Sequence, residues 1–135
     1  AALPRNVVKY FSEDIFSAKI GPLLFDYLDR DKSEIRRHEL MILLIRERPR
    51  EWNQRVRDYI STVPRNSLYL YDVLLILQEQ YRYSFTSPEQ LAEIAYLIKM
   101  VIAKHELGHN KPGPEHIKRI SNGALPKRAD EEDLT

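Results

Sequence analysis

Apolar residues recur every three or four positions along most of this 135-residue chain, from residue 12 to about residue 109. That spacing is the period of amphipathic α-helices, and the alternation typical of strands is almost absent. The pattern therefore predicts an all-α fold, a single compact bundle of about five or six helices. The composition agrees with it, because 43% hydrophobic and 30% charged residues are typical of a globular, soluble domain.

Capping and breaking residues divide the helical pattern into segments. Ser12 is a candidate N-cap, Gly21-Pro22 interrupts the first segment, Asp31 resembles the start of a capping box with Glu34, and Pro49 ends that segment. The later helices are predicted over residues 50–63, 68–83, 87–109 and 114–121, and the third of these has Ser87 as its predicted N-cap and Pro88 in its first turn. Segment 68–83 has so few polar residues that we expect it to be the central helix. The predicted organisation is a helical domain over residues 1–123 and a disordered acidic tail over residues 124–135.

The sequence also excludes several classes of site. It contains no cysteine, which rules out disulfides, thiolate metal sites and cysteine nucleophiles. Its longest aliphatic run, Leu40 to Ile45, is six residues long, against about 20 for a membrane span. Because the first residues do not resemble a secretory signal either, we expect an intracellular protein with no membrane contact.

Basic residues are concentrated between Arg30 and Arg65, although the formal net charge of the chain is only +1. This window holds ten basic and six acidic residues, and nine of the ten are arginine, which binds phosphates and carboxylates in bidentate fashion. We therefore predict a non-enzymatic interaction or regulatory domain with a protein or nucleic-acid partner. The predicted binding face consists of Arg46, Arg48, Arg50, Arg55 and Arg57. The alternative is a solvated face with pairs within the helix, such as Glu51 with Arg55.

Aromatic residues suggest a second place for a partner. The chain has eight tyrosines, and four of them lie at the two ends of segment 68–83: Tyr69, Tyr71, Tyr81 and Tyr83. Packing at the rim of the core is the expected role, and an interface is the alternative, because tyrosine is enriched there. Trp52 is expected to cover the core from segment 50–63.

One motif points to catalysis. His105-Glu106-Leu107-Gly108-His109 matches H-E-x-x-H, in which two histidines one helical turn apart bind zinc and the glutamate is the general base. The segment continues to His116 and resembles the metzincin zinc-peptidase signature H-E-x-x-H-x-x-G-x-x-H. In that family the glycine and the third histidine follow the second histidine by three and six residues, whereas Gly113 and His116 follow by four and seven.

Two interpretations of this motif stay open. The resemblance implies a zinc metallopeptidase with zinc as cofactor, ligands His105, His109 and His116, and Glu106 as the catalytic residue. The other interpretation, which we favour, has no cofactor. In it His105 and His109 extend the buried stripe of the last long helix and are hydrogen-bonded against its neighbours.

Overall fold

The computed structural model of the chain describes residues 21–30, 32–47, 53–83 and 86–132. All regular structure in these ranges is helical, which confirms the predicted all-α class. The helices are α1 (Gly21–Arg30), α2 (Glu34–Glu47), α3 (Asn53–Thr62), α4 (Leu68–Tyr83), α5 (Pro88–Glu106), α6 (Pro114–Lys118) and α7 (Ala129–Glu132), with a 3₁₀ turn at Asn122–Ala124. In the described ranges no helix has the length and apolar character needed to cross a bilayer. The predicted helix start at Ser12 lies outside them.

Helix packing divides the chain into two compact units, residues 1–52 and 53–135. The described part of the first unit consists of α1 and α2. Ser33 caps α2, since its hydroxyl accepts a hydrogen bond from the Arg36 backbone N–H at 3.3 Å. The apolar block of α2, Leu40 to Ile45, is buried except at the half-buried Ile42, with Leu44 and Ile45 almost wholly inaccessible to solvent.

The second unit is built around α5, which packs against α3, α4 and α6. Ser87 caps α5 as predicted, because its hydroxyl accepts from the Gln90 backbone N–H at 3.2 Å and Pro88 starts the helix. The core of this unit consists mainly of Val56, Ile60, Leu70, Val73, Leu77, Ile94, Leu97, Ile98, Val101 and Ile117. The prediction that segment 68–83 is the central helix is therefore wrong: α5 has this position.

The C-terminal segment also differs from its prediction. Residues 124–132, assigned by composition to a disordered acidic tail, include α7, which packs against α4. The Arg128 guanidinium donates a hydrogen bond to the Tyr81 carbonyl and lies 5.8 Å from the centre of the Tyr81 ring. The acidic composition of this segment predicts disorder, but composition does not show that Arg128 makes specific contacts with α4. Residues 133–135 lie outside the described ranges.

Candidate functional site

The H-E-x-x-H motif does not lie on one continuous helix. Helix α5 ends at Glu106, and Gly108 adopts a φ of +76°, a left-handed conformation that favours glycine and turns the chain away from the helix. His105 is on the last turn, whereas His109 follows the glycine. The structure therefore does not place the two histidines one turn apart on one helix face, which is the arrangement that H-E-x-x-H chemistry requires.

The structure brings together His109 and His116 instead. Their ring centroids are 3.8 Å apart and the rings are inclined by 30°. His116 Nδ1 accepts a hydrogen bond from the Gly113 backbone N–H at 2.8 Å, so in the neutral ring Nε2 has the proton. Glu115 Oε1 is 3.4 Å from the same Nδ1, and the shorter contact with the backbone N–H decides the role of this nitrogen. In this arrangement His116 has no lone pair to give to a metal.

The remaining motif residues are on the surface. His105, Glu106 and His109 are all exposed, so the histidines do not extend the buried stripe of α5 as the structural interpretation predicts. His105 Nδ1 lies 3.4 Å from the Arg65 carbonyl oxygen, which is a long contact for a hydrogen bond. Among the residues that the structure describes, no three His, Asp or Glu side chains form a group that could hold a metal ion.

Lys104, one residue before the motif, has the buried position that we predicted for histidine. Its side chain is completely inaccessible, and its ammonium donates a hydrogen bond to the carbonyl of Ile60 in the last turn of α3. Burial lowers the pKa of Lys104 from its usual 10.5 to about 8. The sequence contains a signal for this site, because Leu97, Val101 and Lys104 continue one stripe in steps of three and four.

The Arg-rich face is only partly available to a partner. Arg57 Nε and Nη2 donate to the two carboxylate oxygens of Glu93 on α5 at 2.8 and 2.6 Å, and its guanidinium lies 4.2 Å from the centre of the Tyr96 ring. The hydrogen bonds to Glu93 raise the pKa of Arg57. Arg57 thus joins α3 to α5.

The structure describes two of the other four arginines of the predicted face, and the remaining two lie outside the described residues. Arg46 and Arg55 are half-buried, and each makes interactions within the chain. Arg48 and Arg50 lie outside the described residues, as does Trp52. The structure therefore does not assemble the five arginines into one described surface.

Among the described residues of the second unit, most of the exposed large apolar side chains lie on α4. Four large side chains are exposed: Leu68 at 80%, Tyr71 at 58%, Leu75 at 46% and Tyr83 at 58%. Steps of three and four join positions 68, 71 and 75 into one stripe, which passes the exposed Glu79 before Tyr83. We call these four residues, with the exposed Asp72 and Glu79 beside them, the α4 face. The opposite side of the same helix is buried through Leu70, Val73 and Leu77.

The sequence indicates Tyr71 and Tyr83 as an alternative interface, but it does not indicate that Leu68 and Leu75 are exposed, because the leucines of this helix are all expected in the core. The signal that the sequence contains is the pair Tyr71 and Tyr83, since tyrosine is enriched at interfaces. Large contiguous apolar patches are uncommon on monomeric proteins, and they commonly mark binding sites.

The first unit contains an open groove of about 370 Å³ beside α1, lined by Leu23, Asp26, Tyr27, Arg30 and Arg36. Two of the charges on its wall neutralise each other, because Arg30 Nη2 lies 2.6 Å from Asp26 Oδ2 within α1.

Comparison with known proteins gives no further guide to this site: no family model, no curated protein and no solved structure matches the chain. The assignment of a function therefore depends on the geometry described above.

Proposed function

We propose that the chain is a non-enzymatic binding domain that holds a protein partner on the α4 face. The observation that carries this proposal is the row of exposed Leu68, Tyr71 and Leu75 on a helix whose other side is already buried. Burial of apolar surface contributes about 25 cal/mol per Å². A partner that covers these exposed side chains therefore gains favourable binding free energy.

The residue types and the shape of the α4 face favour a macromolecule over a small ligand. Small-molecule sites are concave and enclose most of their ligand, whereas the outer side of a helix is convex. Tyrosine is enriched at the positions that dominate protein interfaces, and Tyr71 and Tyr83 present their rings together with a polar hydroxyl. A protein surface can cover such a row of side chains along its length.

A selection with displayed peptides tests the proposal without a known partner. The full chain is immobilised, a library of random 18-residue peptides is selected against it, and the selected peptides are measured against wild type and Leu75→Glu. We expect their affinity to fall at least tenfold in Leu75→Glu, because a buried charge in a contact is costly. Lys118→Glu on α6 is the matched control, an exposed charge change away from the face. Affinity that is indifferent to Leu75→Glu would contradict the proposal.

Nucleic acid is the second candidate partner, favoured by the arginine excess between residues 30 and 65. Arg46 and Arg55 are the residues to test, since a change at Arg57 would disturb its two bonds with Glu93. Because Arg46 and Arg55 also make interactions within the chain, circular dichroism first confirms that each variant is folded. If this candidate is correct, charge reversal at either position weakens binding to mixed-sequence RNA or DNA, and wild-type affinity falls steeply with salt as counterions are released. Unchanged binding in both variants would remove this candidate.

A further inference from the structure

The exposed residues of α4 follow a heptad pattern as well as a helical one. If Leu68 has position a, then Leu75 is the next a and Tyr71 is d, which is the spacing of the apolar seam between two packed helices. The apolar part of this seam ends at Leu75, because the next d and a positions hold Gln78 and Arg82. With these two polar positions the seam extends from residue 68 to residue 82, about 21 Å at a rise of about 1.5 Å per residue. A helix of about four turns therefore matches the length of the α4 face.

Acidic residues occupy the flank of this seam. Asp72 and Glu79 both have position e, one heptad apart, and both are exposed, although Asp72 also has an interaction within the chain. Residues at e and g of packed helices face the flanking residues of the partner and select it by charge. The two carboxylates are separated by two turns, about 10.5 Å along the axis, so a partner helix can face both with residues that are also one heptad apart.

We infer that the partner on the α4 face is an amphipathic helix with apolar residues at heptad spacing and Lys or Arg beside them, one heptad apart. This inference rests on the proposed function and adds the chemistry of the partner to it. A second copy of the chain fits less well. When two α4 helices pair antiparallel about Leu75, the carboxylates of Asp72 and Glu79 oppose those of the other copy, and like charges repel.

Two matched peptide libraries test the charge of the partner. Both have 18 residues, leucine at every a position and random apolar residues at d, and they differ only in having lysine or glutamate at e and g. Each is selected against the full chain, and the best peptides are measured by fluorescence anisotropy at low and high salt. We expect lysine peptides to bind about threefold to tenfold more tightly than glutamate peptides at low salt, and this ratio to shrink at high salt.

Protein variants assign that preference to the two carboxylates. In Asp72→Asn/Glu79→Gln the ratio between lysine and glutamate peptides should fall to about one. In the control Glu89→Gln/Glu115→Gln, which removes two exposed carboxylates elsewhere, it should be unchanged. Circular dichroism confirms that each variant is folded before its binding is compared.

The outcomes separate this inference from the proposed function. If glutamate peptides bind as well as lysine peptides and both lose affinity in Leu75→Glu, the inferred charge is wrong and the binding face stands. If neither library gives peptides that are sensitive to Leu75→Glu, the proposed function fails as well. If the chain alone dimerises in sedimentation experiments and Leu75→Glu abolishes the dimer, a second copy is the occupant and the inferred partner is wrong.

Discussion

Lys104 is a buried charged residue whose place in the core of the second unit depends on one distant backbone carbonyl. A fully buried ammonium is stable only if hydrogen bonds compensate for lost hydration, and here the described acceptor is a carbonyl at the C-terminal end of α3, where the helix dipole is negative. Sequence periodicity predicts which α5 positions face inward. It does not predict that a lysine is accepted at one of them, because that depends on where the distant Ile60 carbonyl lies.

The lowered pKa of Lys104 makes its contribution to stability depend on pH. Below pH 8 the lysine is charged in both the folded and the unfolded chain, and burial of the charge is unfavourable. Between pH 8 and 10.5 the unfolded chain binds more protons than the folded one, so the contribution of Lys104 to the free energy of unfolding rises with pH. Over this range we expect wild type to gain about 2–4 kcal/mol relative to Lys104→Met.

Urea unfolding of both proteins at pH 7.5 and pH 10.5 measures this difference. Lys104→Met serves as the reference because it retains every other ionisable group of the chain. If the free energies of unfolding of wild type and Lys104→Met differ by the same amount at pH 7.5 and at pH 10.5, Lys104 is not buried in its charged form.

At the scale of the helix, boundaries and caps were the most predictable features. Ser87 and Pro88 begin α5 as the sequence indicates, because capping is a local property of two or three residues. Which side of a helix is covered is not local, and for this reason the exposure of Leu68 and Leu75 on α4 was not predicted. The end of α5 at Glu106 likewise depends on the φ of Gly108, whereas the H-E-x-x-H pattern by itself assumes a helix through His109.

Substitutions on the two sides of α4 should change the stability of the protein by very different amounts. Leu77 is completely buried and Leu75 is 46% exposed, although both are leucines on the same helix. Leu77→Ala should lower the free energy of unfolding by about 2–5 kcal/mol, because it leaves a cavity in the core. Leu75→Ala should change it by less than about 1 kcal/mol. Chemical denaturation measures both values, and a large loss of stability in Leu75→Ala would show that the α4 face is covered within the chain.

The end of α5 also leads to a prediction about zinc. Since His105 and His109 are separated by the helix end and His116 Nδ1 accepts from the Gly113 N–H, we expect zinc to leave the melting temperature unchanged. We expect Glu106→Gln to leave it unchanged too, because Glu106 is exposed. Metal analysis of untagged protein after dialysis gives the direct measurement. Stoichiometric zinc, together with peptide hydrolysis that is lost in Glu106→Gln, would establish the metallopeptidase alternative.

At the scale of the whole chain, several basic residues stabilise the ends of helices. Three of them donate to carbonyls at or just beyond the C-terminal ends of long helices: Lys104 to Ile60 of α3, Arg128 to Tyr81 of α4, and Arg65 to Gly108 after α5. Cations at this end satisfy carbonyls that lack partners within the helix and interact favourably with its dipole. Part of the basic character of the sequence therefore stabilises the fold.

The contact of Arg128 makes the C-terminal segment part of the folded unit. Arg128→Ala should lower the free energy of unfolding by about 1–2 kcal/mol, because it removes a charged hydrogen bond to the end of α4. Lys127→Ala, at the exposed neighbouring position, is the control and should have almost no effect. Equal stability of the two variants in thermal or chemical unfolding would restore the predicted disordered tail.

The three cation contacts at helix ends have a consequence for how the second unit folds. They join residues 44, 47 and 43 positions apart, and in each case residues 60–81 bind residues 104–128 in the same order along the chain. Closing one loop of this length costs about 3 kcal/mol of chain entropy, and the cost is largely shared once the two segments have met. The contacts should therefore form and break together, which makes the unit cooperative and its helix ends late to become ordered.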